Sequence, residues 1–550
     1  MFFFQILIFI ISILTISISI SGYGSLVNLN IKKNFFLDVF LGLVLITFII
    51  TSIHFFFNIN LQISFLIFTL GLLIFFHKKK FNLIKLFNYE NINILVILFL
   101  FIPIFISQKY HEDFGYYHLP YALSLIEEKI IIGFANINIS YVYNSIWLNL
   151  YSVFFLSGKN FNFLTLPSFL LFLSFVIFSF NQIISNNKKS ISDYFLLITL
   201  FYFILKFTRI SEFGVDLPAT IFSILTIYYF LKFSESSLIK DRKDYFFLIL
   251  FFSIFSILIK LSTIPIFLLP VFLYIKYFKN LKTDIFRLKF FFIYILSTIF
   301  FIQQFIYTGC LFFPSNLTCL NVSWFSESNI DLSNKLKLIN KGYYILAKDI
   351  FTPEEYLKNF NWLIFWLKRS FIEISEHLLT IILPIMIFLF FQKKTIDHKF
   401  ILNDKLGLYF FLIFGFIFWL NFSPVYRFGI HLFLTLVFVL LINNLKLKDY
   451  SKKFFLIFIM IFVFYSFSKN ILRLNKTENI FFGVQKINNQ YILNEKSINP
   501  FVKVYRPNVK NNSKNGWQGR LCWDIPFICS TNMLNIKKKN GYLIINKLNN

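Results

Sequence analysis

Long apolar runs recur along most of this 550-residue chain, and they constrain its fold more than any other feature. Each run extends for roughly 16 to 22 residues, enough for a helix to cross a hydrocarbon layer about 30 Å thick. Short loops rich in Lys and Asn separate the runs. Only 14% of the residues are charged, well below the roughly 25% of soluble domains. These features exclude a soluble enzyme, a disordered chain and a fibrous repeat, and they predict an all-α polytopic membrane protein.

The runs predict about fourteen transmembrane helices. Their predicted starts are Met1, Leu37, Leu61, Ile92, Leu164, Ser192, Asp216, Tyr245, Leu261, Phe290, His377, Leu406, Phe428 and Phe454. The first run lacks both a basic segment and a small-residue cleavage site, so we expect a retained helix rather than a removed signal peptide. The predicted transmembrane domain covers residues 1–469, and a polar C-terminal cap covers residues 470–550.

The formal net charge of +27 is explained by the positions of the basic residues. Clusters of Lys and Arg occupy alternate loops, for example 78–80, 240–243 and 446–453. The positive-inside rule assigns these loops to the cytoplasm, so the charge does not indicate a nucleic-acid partner. We expect a multi-pass protein of the bacterial inner membrane, in contact with membrane lipids. Its long loops (109–163 and 307–376) and its cap would face the periplasm or the exterior.

Four cysteines lie on the predicted outer face of the protein: Cys310, Cys319, Cys522 and Cys529. An oxidising compartment favours two short-range disulfides, Cys310–Cys319 and Cys522–Cys529. Zinc binding is the alternative, although neither pair has the usual spacing of two to four residues. If disulfides form, the paired Cα atoms should be about 4.4 to 6.8 Å apart.

The first polar site follows the fourth apolar run, where the chain reads HEDFGYYHLPY from His111 to Tyr121. Glu112 and Asp113 precede a helix that Pro120 can open, because the first turn of a helix needs no proline N–H. Four apolar residues would share one face of that helix: Leu119, Ala122, Leu123 and Ile126. The pattern predicts an amphipathic helix on the outer membrane surface, with both carboxylates at the water–lipid boundary. Alternatively, the carboxylates only mark the solvated end of the fourth span.

Three further segments place charges at the outer ends of spans, where they need a functional explanation. The segment RISEFGVDLPA puts Glu212 and Asp216 on one helix face, and SPVYRFG puts Arg427 before a late span. Lys260 lies between two apolar runs at a similar level. Each cation alone is weak evidence, because Lys and Arg often extend to the membrane surface from span ends.

Taken together, these charges suit transfer from a lipid phosphate. A carboxylate within hydrogen-bond reach can deprotonate an incoming hydroxyl or amine, and Asp113, or failing that Glu112, is the predicted base. Arg427 and Lys260 would stabilise the phosphate, since a guanidinium can bind a phosphate through two parallel hydrogen bonds. Glu212 or Asp216 would orient the substrate. We expect His118 or a divalent metal such as Mg or Mn to keep the base ionised, although the sequence identifies no metal ligands.

The order of these motifs resembles the GT-C class of integral-membrane glycosyltransferases, such as protein mannosyltransferases and aminoarabinose transferases. The chain is most similar to an uncharacterised bacterial multi-pass family with the patterns D-x-G-x-Y-H-L, N-S-x-W, small-Gly-x-L-x-Y-P and C-W-D-x-P. The matching residues are Asp113, Gly115, Tyr117, His118 and Leu119; Asn144, Ser145 and Trp147; Thr308, Gly309, Leu311 and Pro314; and Cys522, Trp523, Asp524 and Pro526. Phe313 replaces a Tyr, and Glu112–Asp113 reverses the mannosyltransferase order, which leaves the identity of the base open.

The resemblance implies a GT-C-like fold with an outer juxtamembrane helix. It also implies transfer of a sugar from a polyprenyl-phosphate donor to an envelope glycan, lipid or protein on the extracytoplasmic face. Tyr117, His118 and Asn144 would then join the substrate-binding residues. The alternatives are a component of polysaccharide export, polymerisation or ligation, and a family member with only a structural role. A transporter should place charges near the bilayer midplane and show repeat symmetry, so charges at outer span ends favour the transferase.

Overall fold

The protein is predominantly helical in the residues that the structure describes. The structure is a computed structural model, and it describes residues 2–78, 89–106, 113–154, 166–185, 190–206, 214–282, 287–390, 404–444, 452–474, 491–493, 497, 501–507, 521–523 and 525–548. Helices dominate because a chain in hydrocarbon must satisfy its backbone N–H and C=O groups within the segment itself.

The first half of the chain forms helices α1 to α10, with a π-helical turn at Phe114–His118 and 3-10 turns at Phe134–Asn136 and Ile139–Val142. The α-helices are α1 (Phe2–Ser25), α2 (Phe35–His54), α3 (Leu61–Lys78), α4 (Tyr89–Ile106), α5 (Leu119–Glu127), α6 (Ile146–Val153), α7 (Leu166–Ser185), α8 (Ile191–Lys206), α9 (Asp216–Glu235) and α10 (Ile239–Ile259).

The second half begins with a 3-10 segment, Leu261–Phe267, that continues into α11. Its α-helices are α11 (Leu268–Lys276), α12 (Phe278–Leu281), α13 (Leu288–Thr308), α14 (Ser328–Asn340), α15 (Tyr343–Leu346), α16 (Pro353–Leu357), α17 (Trp362–Phe390), α18 (Lys405–Phe422), α19 (Ile430–Asn444) and α20 (Lys452–Leu474). Further 3-10 turns lie at Asn316–Thr318, Lys358–Phe360 and Tyr426–Phe428.

Nine helices among the described residues are long and apolar enough to cross a membrane. Three shorter apolar helices lie within the described residues as well, at Val96–Phe105, Leu261–Lys276 and Ile430–Leu441. The prediction of a helical membrane protein is therefore confirmed. The number fourteen stays a prediction, because several predicted spans are shorter than a full crossing or continue beyond the described residues.

Two predictions about helices differ from the structure. Helix α17 begins at Trp362, well before the predicted span start at His377, so this helix extends into the predicted outer loop 307–376. The reason is that Trp362–Phe371 is also apolar, and its charged residues Lys368 and Arg369 do not interrupt the helix. Helix α5 was predicted to lie on the outer membrane surface with its apolar face against lipid. In the structure protein covers much of this helix, because Leu119, Tyr121, Ala122 and Leu125 are buried, and its level relative to the membrane stays a prediction.

The C-terminal tail adds strands to a helical protein. Two antiparallel pairs form, β1 (Tyr491–Leu493) with β2 (Tyr505–Pro507) and β3 (Leu534–Lys539) with β4 (Tyr542–Lys547). The second pair docks on the loop after α5: the Ile132 N–H donates to Leu543 O, and the Ile545 N–H donates to Ile132 O, both at 2.9 Å. The tail is thus joined to the first outer loop by backbone hydrogen bonds.

Buried carboxylates hold the helices together at their predicted cytoplasmic ends. Asp244 accepts hydrogen bonds from Lys289 Nζ at 2.7 Å and from the backbone N–H groups of Asn30 and Ile31. Asp404 accepts from Ser234 Oγ, Lys276 Nζ and Tyr277 OH, at 2.7, 2.6 and 3.1 Å. The side chain of Asp244 is 0% exposed and that of Asp404 is 1% exposed. Each carboxylate therefore has several partners and no open side.

Candidate functional site

Charged and aromatic side chains from four separate segments meet at the predicted outer ends of the helices. We call these residues the outer-end cluster: Asp113, Tyr117, His118, Asp216, Lys260 and Arg427. Asp216 is the first residue of α9, which Pro218 helps to start, and Lys260 caps the C-terminal end of α10. Arg427 lies in the 3-10 turn Tyr426–Phe428 before α19.

Asp216 joins the two cations. One carboxylate oxygen, Oδ1, accepts a hydrogen bond from Lys260 Nζ, and the other, Oδ2, lies 3.3 Å from Arg427 Nε. The side chains of Lys260 and Asp216 are 18% and 23% exposed, whereas that of Arg427 is 53% exposed. Asp216 therefore fixes the spacing of the two cations while leaving the guanidinium half open to the surroundings.

The Phe428 ring lies close to both cations. Lys260 Nζ is 3.2 Å from the centre of the Phe428 ring, and Arg427 Cζ is 5.2 Å from it. A ring face attracts cations through its quadrupole, by about 0.5 to 2 kcal/mol depending on desolvation. The ring therefore holds the cations in place without neutralising their charge.

The first predicted motif reaches the same place. Tyr117 and His118 lie on the π-helical turn, with ring centres 4.1 Å apart. The charges of Asp113, Asp216 and Arg427 all act on Tyr117, and Asp113 acts on Lys260. The structure therefore brings together six of the residues predicted from sequence, although the first, Asp113, and the last, Arg427, are more than 300 positions apart along the chain.

The protonation of two cluster residues is shifted by their surroundings. Burial lowers the pKa of Lys260 to about 8, although the Asp216 carboxylate acts in the opposite direction. Burial also raises the pKa of the Tyr117 phenol well above 10, and the Asp113 charge raises it further. Tyr117 is therefore a neutral hydrogen-bonding group, whereas the charge of Lys260 depends on pH near the physiological range.

Hydrogen bonds between α9 and α10 fix Lys260 relative to Asp216. Ser256 Oγ donates to Ala219 O at 2.9 Å, and Ser223 Oγ lies 2.8 Å from Ser256 Oγ. Thr263 Oγ1 donates to Lys260 O at 2.9 Å. The backbone on both sides of the ion pair is thus held by buried hydroxyl groups.

Two tryptophans hold the turn that carries Arg427, and the sequence analysis did not identify them. Trp366 Nε1 donates to Pro424 O at 2.5 Å, and Trp419 Nε1 donates to Val425 O at 2.8 Å. The two indole rings pack edge to face, with centres 5.6 Å apart. Both tryptophans lie at the outer ends of apolar helices, which in hindsight is the only sequence signal for this role.

The C-terminal tail contacts the acidic motif directly. The backbone N–H of Trp523 donates to Gly115 O at 2.8 Å, and the Phe114 and Trp523 rings pack edge to face at 5.9 Å. A Cβ atom at Gly115 would lie only 2.3 Å from the Trp523 ring, so only glycine fits there. The segment that contains Asp113 and Gly115 and the segment that contains Trp523 are therefore neighbours in space. Gly115 leaves the room that the Trp523 ring occupies.

Asn144 lies in a buried polar network. Its Nδ2 donates to Gln303 Oε1 at 3.0 Å, and its Oδ1 lies 3.3 Å from Tyr121 OH. Tyr121 OH donates its proton to the nearer acceptor, Asn149 Oδ1, at 2.7 Å, and Asn149 Nδ2 donates to Thr51 Oγ1 at 2.9 Å. Through Asn144 and Asn149 this network connects α2, α5, α6 and α13, and the predicted role of Asn144 in substrate binding stays a prediction.

Both predicted disulfides are confirmed. Cys310 is bonded to Cys319, and Cys522 to Cys529. The Cα separation of the second pair is 5.9 Å, within the expected range, but that of the first is 3.8 Å, below it. The first pair is closer because Cys310 and Cys319 form a non-hydrogen-bonded pair of an antiparallel bridge, in which opposite Cα atoms approach most closely. Gly309, with φ of 83°, ends α13 just before this bridge.

Two predicted site residues, Glu112 and Glu212, lie outside the described residues, as does Asp524. Among the residues that are described, no three or more His, Cys, Asp or Glu side chains converge as metal ligands would.

Comparison with known proteins places the chain in one family. The family model described as a domain of unknown function (DUF8201) matches residues 6–434, which is more than half of the chain. The protein therefore belongs to this family. The matched region contains the whole outer-end cluster and ends before α20 and the tail. No curated protein and no solved structure matches the chain.

Proposed function

We propose that this member of the DUF8201 family is a GT-C-like glycosyltransferase of the bacterial inner membrane. It would move a sugar from a polyprenyl-phosphate donor to an envelope glycan, lipid or protein on the extracytoplasmic face. The observation that carries the proposal is the outer-end cluster: a carboxylate, two cations and a bridging carboxylate meet where a lipid-linked phosphate would lie.

Asp113 acts as the general base in this proposal. It accepts the proton of the acceptor hydroxyl while the acceptor oxygen attacks the anomeric carbon of the sugar. The bond between that carbon and the phosphate oxygen breaks, and its electron pair remains on the phosphate of the carrier. The products are the glycosylated acceptor and the carrier phosphate, and a positioned base typically contributes about 10² to 10⁴ in rate.

Arg427 and Lys260 bind the phosphate that leaves. The half-exposed guanidinium of Arg427 faces the phosphate, and the buried ammonium of Lys260 supplies a second charge. Charge stabilisation of this kind is often the largest single contribution to catalysis. Asp216 takes a different role from the one expected: because it contacts both cations, it positions them instead of orienting the sugar.

The test is mass spectrometry of cell-envelope glycans from cells without the gene, with the wild-type gene, and with Asp113→Asn. We expect a glycan or lipid species to lose one sugar in the first strain, to regain it with the wild type, and to remain without it in Asp113→Asn. Asp349→Asn, which changes an exposed carboxylate in the second outer loop, is the matched control and should restore the sugar.

Two outcomes would contradict the proposal. Full restoration by Asp113→Asn, with normal membrane insertion, would remove Asp113 as the base. If the sugar-modified species instead accumulates inside cells that lack the gene, the protein exports a finished product, as the alternative interpretation requires.

A further inference from the structure

A short segment of the second outer loop exposes apolar side chains where a soluble loop would be polar. This segment, residues 342–360, is called the outer shelf. It exposes large apolar residues to between 38% and 65%: Tyr344, Ile345, Leu346, Ile350 and Phe360. We propose that the exposed apolar face of the outer shelf is seated in the headgroup region of the membrane, and that its partner is the lipid surface.

The opposite side of the outer shelf has its own core. Tyr343 and Tyr356 are buried, with ring centres 5.2 Å apart, and Phe365 of α17 lies 5.9 Å from Tyr356. Tyr343 OH donates to Phe351 O at 2.8 Å, and Tyr356 OH donates to Lys341 O at 2.7 Å. Because the segment already buries one set of aromatic residues, its exposed set forms a second, separate surface.

The position of the outer shelf matches a membrane boundary. It packs on Phe365 in the first turn of α17, next to Trp366, and Trp366 contacts Trp419 near the end of α18. Tryptophan is enriched where spans leave the hydrocarbon layer. The apolar span α18 ends at Phe422, so the outer shelf lies at the level where the bilayer ends.

A cation beside the outer shelf fits the same boundary. Lys337 Nζ lies 5.7 Å from the Phe422 ring. Such a side chain covers apolar surface with its stem and holds its charge at the headgroup level. The apolar surface also continues onto α17, where Ile364 and Phe371 are 58% and 64% exposed.

The outer shelf is linked to the Arg427 turn. Asn340 Nδ2, two residues before the segment, donates to Ser423 Oγ at 2.7 Å, and Arg369 Nη1 donates to Ile339 O at 3.0 Å. Lipid contact would therefore fix the height of the Arg427 turn relative to the headgroups. The lipid contact itself does not depend on the proposed transferase activity.

Single introduced cysteines test the lipid contact. All four native cysteines are in disulfides, so an added cysteine is the only free thiol for an environment-sensitive nitrobenzoxadiazole label. Ile345→Cys and Ile350→Cys are compared with Glu354→Cys, an exposed acidic position on α16. The labelled proteins are reconstituted in vesicles of phosphatidylethanolamine and phosphatidylglycerol. Quenching is measured with iodide on both sides and with nitroxide-bearing lipids.

We expect the labels at 345 and 350 to be blue-shifted, quenched by nitroxide-bearing lipids and protected from iodide. The label at 354 should show the reverse. Labels at 345 and 350 that behave like the one at 354 would overturn the proposal. Protection from both quenchers would also overturn it, because a protein surface, such as a second copy of this chain, would then cover the segment.

Discussion

The two ends of the helix bundle both contain ion pairs between aspartate and basic side chains, but the surroundings of these pairs differ. At the predicted cytoplasmic end, Asp244 is fully buried and accepts hydrogen bonds from Lys289 and from two backbone N–H groups. At the outer end, Asp216 is 23% exposed and contacts two side-chain cations, one of which is half exposed. The difference indicates that burial and backbone partners, not the charges themselves, separate structural carboxylates from candidate functional ones.

The largest effect is expected at the cytoplasmic end. Asp244→Ala removes the buried partner of Lys289 and leaves the N–H groups of Asn30 and Ile31 unpaired. Breaking a buried pair from one side costs about 3 to 5 kcal/mol, so the protein should lose expression and thermal stability in detergent. The comparison fails if Asp244→Ala is as stable as the wild type and loses only its transfer activity.

Asp216→Asn should show the opposite pattern. Partly exposed ion pairs contribute about 1 kcal/mol or less, so the melting temperature in detergent should change little. Envelope glycan transfer should fall by about 100-fold, because the cations lose their fixed spacing and a misplaced group can cost that much. A large loss of stability with normal transfer per folded molecule would make Asp216 a structural residue like Asp244.

A third prediction concerns the contact between the tail and the acidic motif. Gly115→Ala forces a Cβ atom against Trp523, and overpacking of this kind costs about 1 to 3 kcal/mol. Limited proteolysis should then cleave the tail faster than in the wild type. Combining Gly115→Ala with Trp523→Leu should recover part of the loss, since the smaller side chain leaves room. Purely additive effects would mean that the two residues do not contact each other.

The smallest effect is a pH dependence. Burial lowers the pKa of Lys260 to about 8, so the ammonium loses its proton as the pH rises through that value. If the charge binds donor phosphate, kcat/KM for the donor should fall above about pH 8, because this ratio reports the free enzyme. Lys260→Arg should abolish that decrease, since arginine stays protonated. An unchanged profile in Lys260→Arg would exclude Lys260 as the cause.

The sequence predicted that the site residues lie at helix ends better than it predicted which residues they contact. Apolar runs end near Asp216, Lys260 and Arg427, so their common level could be inferred from hydropathy. Their lateral contacts could not, because helix order within a membrane depends on side-chain packing between distant segments. The bridge from Asp216 to both cations was therefore missed, although each residue was identified.

Local sequence does not show which distant segments pack together, and this explains why the covering of α5 and the contact of the tail were not predicted. The pattern of α5 predicted one apolar face, but the pattern cannot tell whether lipid or protein covers that face, and here protein does. The contact of Trp523 with Gly115 joins segments about 400 residues apart, beyond any local signal. The disulfides were predictable, because short spacing and a shared outer face leave few possible pairings.

The central claim is that the outer-end cluster binds a lipid-linked phosphate, and the most direct measurement is the affinity for a polyprenyl monophosphate. The dissociation constants of purified wild type, Arg427→Lys and the control Arg506→Lys, which changes an exposed arginine on β2, can be compared by native mass spectrometry. We predict saturable binding by the wild type and the control, and at least about tenfold weaker binding by Arg427→Lys, a loss of about 1.4 kcal/mol. Equal binding by all three proteins, or no binding by the wild type, would contradict the account.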